Sequence, residues 1–211
     1  MTRLIGLLIT TSLALVSTVA CSETDALDDG DRFRIINGSP TDETVAEYAA
    51  TVALHSRFGG GSVSTTPFCS GTLISADVVL TAGHCCDESR GGLRVNPLEP
   101  GDVAVYFGDG PALMDNTLNG EFYAVSEVSI HPNYDPRSIT NDLCLLRLST
   151  PSSTKPVPHL PADLGLSNAD AGTLLDFVGF GYSDLDKTEF GQLHDMRFCM
   201  IAGQRFPEHL Q

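Results

Sequence analysis

His84 and Asp142 are the two residues whose setting could support chemistry. His84 follows the apolar run Val78 to Leu80 through the small-residue turn Thr81-Ala82-Gly83, and Cys85 comes directly after it. An imidazole held that rigidly can act as a base: it can take the proton of a serine hydroxyl, a weak nucleophile at neutral pH, if a buried carboxylate fixes its tautomer. Asp142 precedes Leu143-Cys144-Leu145-Leu146, a run apolar at every position and therefore expected to be buried on both strand faces. A carboxylate at the mouth of such a strand is costly unless hydrogen-bonded, and a donor imidazole is a natural partner. The other histidines, His55, His131, His159, His194 and His209, stand in no comparable setting and read as surface or satisfied core residues.

The elements that would position this pair are strands. Short β-type runs at Ala50 to His55, Phe68 to Ser75, Asp77 to Thr81, Val103 to Phe107, Glu121 to Ile130 and Leu143 to Leu148 are separated by Gly, Pro, Asn and Asp. With no long helical period between them, this spacing predicts an all-β antiparallel barrel or sandwich. Phe58-Gly59-Gly60-Gly61-Ser62 reads as a hairpin tip, since no helix-opening Lys-Ser/Thr follows the glycines as a phosphate cradle requires. Pro151 to Pro161 carries four prolines and reads as an extended linker. Strand signals resume at Thr173 to Val178 and near Gln192 to Ile201. The order is one complete β-unit, a linker, and a second unit cut short.

Composition narrows the function classes. A chain of 211 residues, 42% hydrophobic and 18% charged, can bury a sizeable core. Its 12 basic against 27 acidic residues, a formal net charge of -15, exclude a nucleic-acid or anionic-membrane surface of the usual basic kind. Arg3 and the apolar run Leu4 to Val19 read as a secretory signal over residues 1–20, the run being shorter than the ~20 residues a spanning helix needs. Cys21, after Thr18-Val19-Ala20, leaves two readings open: a lipid-attachment cysteine, which would bring the chain to a membrane, or simple cleavage before it. Residues 21–34 are acidic and poor in large apolar groups, an exposed pro-segment. Export implies an oxidising compartment and disulfides. Apart from Cys21, the cysteines are Cys69, Cys85, Cys86, Cys144 and Cys199, an odd number.

Several separated segments, in order, resemble the trypsin/chymotrypsin-like serine endopeptidases. Arg34-Ile35-Ile36-Asn37-Gly38 resembles the family's activation site, Phe68-Cys69-Ser70-Gly71-Thr72-Leu73-Ile74 its Cys-Gly-Gly-Ser-Leu-Ile strand, and Leu80-Thr81-Ala82-Gly83-His84-Cys85 its Leu-Thr-Ala-Ala-His-Cys turn. His131-Pro132-Asn133-Tyr134, Asn141-Asp142-Leu143 and Gly179-Phe180-Gly181, the last with Phe replacing Trp, follow at the expected intervals. The resemblance implies a double antiparallel β-barrel over residues 35–211: a complete first barrel at about 35–150, a linker at 151–161 and a partial second barrel at 162–211. It implies His84 as general base and then general acid, Asp142 as its orienting carboxylate, and Arg34 to Ile35 as the bond that an activating protease cuts. A bridge from Cys85 back to Cys69 would pin the His84 turn, worth roughly 3 kcal/mol in the chain-entropy model. The implied substrate is a protein or peptide, cleaved outside the cell or in its envelope.

The family's Gly-Asp-Ser-Gly-Gly-Pro nucleophile motif does not occur in the sequence. After the linker, Ser167 and Ser183 stand in no such setting. The expectation is a C-terminally truncated, inactive endopeptidase; the alternative is a secreted non-enzymatic homologue acting as a binding module. No cofactor is expected. Nor is a metal, because the adjacent residues His84-Cys85-Cys86 rarely ligate one zinc together and no second Cys/His pair stands at ligand spacing. Cys144 is expected to be a buried thiol. Asn37-Gly38-Ser39 is a formal glycosylation sequon in a stretch the family buries after activation.

Overall fold

The computed structural model describes residues 39–41, 48–59, 61–89, 94–108, 120–159, 161, 170–181, 191 and 193–199. The signal and pro-segment, Cys21, Arg34, Ile35, the sequon Asn37, Ser167 and Ser183 lie outside these residues.

Nine strands are described: β1 (Ser39–Pro40), β2 (Thr51–Arg57), β3 (Val63–Ser75), β4 (Val78–Thr81), β5 (Val103–Phe107), β6 (Glu121–Ile130), β7 (Cys144–Leu148), β8 (Leu174–Gly179) and β9 (His194–Cys199). Six of them close into an antiparallel barrel in the order β2-β3-β4-β7-β6-β5, with β5 pairing back onto β2 through Ala53↔Tyr106 and Leu54↔Val105. Closure removes the sheet edges. The barrel is filled by Val52, Leu54, Leu73, Val79, Val103, Val105, Phe107, Val125, Leu146 and Leu148. Strands β1, β9 and β8 form a separate three-stranded antiparallel sheet.

The tip between β2 and β3 turns through Gly61 at φ +85, where Phe58 N–H donates to the Ser62 carbonyl at 2.9 Å. Barrel and sheet meet at a second apolar cluster of Ala53, Tyr106, Phe180 and Leu193, all buried. A polar contact crosses there as well: the Phe180 N–H donates to Ser70 Oγ at 2.9 Å. Strand β5 is buried along its whole length because Val103, Val105 and Phe107 belong to the barrel core while Tyr106 belongs to this junction.

Two sequence expectations need correction. The run from Leu143 is not buried on both faces: Cys144, Leu146 and Leu148 point inward, whereas Leu145 is 41% exposed and Arg147 reaches Asp77 and Glu127 outside. The strand belongs to a barrel wall with one inner face, so its period-2 alternation wins over its apolar composition. Cys144 is not a thiol but is bridged to Cys86. Both are inward-facing residues of the barrel core, and their Cα atoms lie 6.5 Å apart, within disulfide reach.

Candidate functional site

His84 sits on a short 3-10 turn, Gly83–Cys86, separated from the end of β4 by Ala82 alone. Ala82 is still extended, at φ -76 and ψ 149, and the Cys85 N–H donates to its carbonyl, so the chain reverses within three residues. The strand beneath is fixed on both sides: Thr81 pairs with Cys144, and its hydroxyl donates to the Ser70 carbonyl at 2.8 Å. A side chain leaving this turn has little freedom at its root.

Asp142 approaches from the other strand. The loop before it carries two non-glycine residues with positive φ, Ile139 at 53° and Asn141 at 52°. Asn141 tolerates that conformation and is tied down by its side-chain amide, which donates to the Asn133 carbonyl at 2.9 Å. Asp135 organises the start of the loop, accepting from the Arg137 N–H and the Ser138 hydroxyl at 2.9 Å each. Those bonds hold its carboxyl below the usual range, with Arg137 adding a favourable charge.

The two residues meet at short range. Asp142 Oδ1 accepts the His84 backbone N–H at 2.7 Å, and Oδ2 lies 2.7 Å from His84 Nδ1. A carboxylate accepts, so Nδ1 carries the hydrogen, and in the neutral ring the lone pair is on Nε2. The side chain of His84 is 54% exposed and that of Asp142 only 17%. One carboxylate therefore fixes both the main chain and the ring of His84, with Nε2 on the open side. An imidazole so held can accept a proton at Nε2 and return it, which is what activation of a hydroxyl nucleophile needs.

The walls of the site bring contacts that the sequence did not show. Tyr134 is buried, and its ring lies against Gly83, where an added Cβ would stand 3.1 Å from both Tyr134 Cδ2 and Asp142 Oδ1. Burial pushes the Tyr134 hydroxyl up, and nearby Asp142, Asp87 and Asp135 push it further, so it stays a neutral phenol. Two disulfides among the described residues also converge here. Cys69 bridges to Cys85, the residue after His84, tying the turn to β3. Cys86 bridges to Cys144, and these stand two residues after His84 and two after Asp142 respectively. The antiparallel register Thr81↔Cys144 places Cys144 beside the foot of the His84 turn, within reach of Cys86.

The family model for trypsin matches residues 35–198, most of the chain. The chain belongs to the trypsin family. Among curated members of that family, trypsin-2 of Salmo salar is 32% identical over 153 residues, 63% of this chain and 60% of that protein. Trypsin of Sarcophaga bullata is 26% identical over 139 residues, 66% of this chain and 46% of the relative. Serine protease 56 of Mus musculus is 27% identical over 169 residues, 73% of this chain and 26% of its own length. This trypsin-family chain thus spans about half the length of the shorter relatives it matches and a quarter of the longer one. Among solved structures, the scabies mite inactivated protease paralogue S-D1 superposes with a TM-score of 0.58 at 20% identity, covering 79% of this chain and 62% of that one. At that identity the likeness speaks for the fold.

Proposed function

We propose that this trypsin-family chain carries the proton-transfer half of a serine endopeptidase site, with His84 as general base and then general acid and Asp142 as the carboxylate that orients it. The observation that carries this reading is the pair of 2.7 Å contacts from one largely buried carboxylate to the backbone N–H and ring Nδ1 of a half-exposed histidine. In that reaction Nε2 takes the hydroxyl proton of a serine as the hydroxyl attacks a peptide carbonyl, then donates it to the leaving amine. Asp142 stabilises the imidazolium formed between the two steps. The substrate class is protein or peptide. Cleavage between Arg34 and Ile35 by an activating protease would release the mature chain in a secreted or cell-envelope compartment, a setting that the two disulfides suit.

The sequence contains no Gly-Asp-Ser-Gly-Gly-Pro stretch, so the 211-residue chain by itself should form no acyl-enzyme. Incubating it with a fluorophosphonate probe should leave it unlabelled; a stable covalent adduct on any serine would overturn this. Translating the coding sequence beyond residue 211 in all frames tests the wider reading. A product that includes the nucleophile stretch should hydrolyse peptide esters and lose nearly all turnover with His84→Ala. Full turnover in that variant would remove His84 from the mechanism.

A second reading, a secreted binding module without turnover, draws support from the barrel itself. Strands β2 to β7 close on one another without help from the β1-β9-β8 sheet. A chain that shows no label, melts cooperatively as a monomer, and comes from a gene with no downstream nucleophile stretch would favour it.

A further inference from the structure

Under the site the barrel strands stand in the order β3-β4-β7. The β4–β7 ladder runs from Val78↔Arg147 to Thr81↔Cys144, and both His84 and Asp142 lie past its end. Adjacent cysteines of the His84 turn are bonded to opposite neighbours of β4: Cys85 to Cys69 on β3, Cys86 to Cys144 on β7. We infer that the second bridge, Cys86–Cys144, is a positioning element for the His84–Asp142 pair, a role that rests on the proton-transfer reading of that pair.

Connectivity is the first support. Along the chain His84 and Asp142 are 58 residues apart, whereas through the bridge the path between them is Cys85, Cys86, Cys144 and Leu143. The entropy lost on closing a contact grows with the length of chain between its ends, so the bridge turns a long-range pairing into a local one. Asp142 then closes a small ring when it meets the His84 backbone N–H and Nδ1, each at 2.7 Å.

Direction is the second. The Cys69–Cys85 bridge ties the turn to β3, on the far side of β4 from the strand that follows Asp142. It holds the turn to the barrel without setting it against Asp142. Cys86–Cys144 joins the two segments that carry the pair.

Rigidity is the third. Cys86 and Cys144 are 0% and 1% exposed within the barrel core. The Cys86 carbonyl accepts the Leu98 N–H at 2.8 Å, and Cys144 is flanked by Thr81 on β4 and Ile130 on β6. Both ends are packed in place, so the bridge passes the register of β7 on to the turn rather than flexing.

A bridge that only stabilised the barrel would protect all of its amides alike. The test is therefore hydrogen exchange on the full chain, comparing the His84 N–H, held by Asp142, with the Leu73 N–H, held by the Ala50 carbonyl at 2.8 Å. In Cys86→Ala/Cys144→Ala the His84 amide should exchange faster by about tenfold or more relative to Leu73, through a local opening that leaves the barrel closed. Cys86→Val/Cys144→Ala returns volume to the core without the covalent link. It should recover stability to urea and still show the fast His84 amide, and the downfield Nδ1 proton should be broad in both variants. Cys69→Ala/Cys85→Ala should keep the wild-type ratio. An unchanged ratio in Cys86→Ala/Cys144→Ala, a ratio restored by volume alone, or an equal rise without the first bridge would each overturn the proposal. So would failure of both bridge-free variants to show the barrel's circular dichroism, since the bridge would then be a folding requirement. None of these readouts needs turnover: full activity of His84→Ala in a product with the nucleophile stretch would remove the proposed function and leave the exchange result standing.

Discussion

Removing the buried bridge, in Cys86→Ala/Cys144→Ala, should destabilise the chain more than removing the partly exposed one, in Cys69→Ala/Cys85→Ala. The Cys86–Cys144 bridge closes a segment with a sequence separation of 58, against 16 for Cys69–Cys85. In the loop-entropy treatment these separations correspond to about 4 and about 3 kcal/mol. The buried pair should lose something further, since its sulfurs belong to the barrel core at 0% and 1% exposure and alanines would leave a void. Urea unfolding of the three proteins at one pH, followed by circular dichroism, gives both values from the midpoints if the slopes agree. The buried bridge also brackets the site, two residues beyond both His84 and Asp142, so its loss should broaden the His84 Nδ1–H resonance, while the mutation leaves both site residues intact. A loss of under about 1 kcal/mol from the buried pair, or a larger loss from the exposed pair, would refute the reasoning, because loop length and burial both rank them the other way.

Acid should weaken the fold through His55. This fully buried ring has Nδ1 2.7 Å from the Ser64 carbonyl and packs edge-on to Tyr106 and Phe122, and burial pulls its pKa below 6.5 despite the opposing effect of that carbonyl. The unfolded chain takes the proton first, so stability is complete above pH 6.5 and declines as pH falls below it. Urea midpoints measured at falling pH should show a shallower decline in His55→Phe, and parallel curves would contradict this. Ser70→Ala leaves the Phe180 N–H without its acceptor at the barrel–sheet junction and should cost about 1 kcal/mol by the same assay, with no loss counting against a junction held by that bond. Gly83→Ala sets a methyl 3.1 Å from Asp142 Oδ1 and Tyr134 Cδ2 and 3.2 Å from the Leu143 nitrogen. It should move the His84 Nδ1–H resonance while changing stability by about 1 kcal/mol or less; an unmoved resonance would show that Asp142 has room to spare.

How much of this was legible in the sequence depended on range. The strand runs at Val103 to Phe107 and Glu121 to Ile130 coincide with β5 and β6, because local composition and turn residues set those boundaries. At residues 143–148 composition does not reveal which face of the wall turns outward; Leu145 and Arg147 reveal it only once β7 lies between β4 and β6. His84 and Asp142 stood out through their flanking motifs. Their two-point contact could not be read, since it depends on a separation of 58 residues closed by the barrel. The Cys86–Cys144 bridge was hidden for the same reason. An odd cysteine count leaves open either a free thiol or a missing partner, whereas the register Thr81↔Cys144 brings the strand end beside the His84 turn. Tyr134 was read only as part of a motif, and its place against Gly83 follows from the loop's return to the site.

The most direct test of the account is the protonation pattern of His84 in the full chain, read by long-range proton–nitrogen correlation near neutral pH. Hydrogen is expected on Nδ1, with a strongly downfield Nδ1 proton from the contact with Asp142 and loss of that downfield signal in Asp142→Asn. Hydrogen on Nε2 with none on Nδ1 in the wild-type chain, or the same downfield signal with and without the Asp142 carboxylate, would contradict that contact.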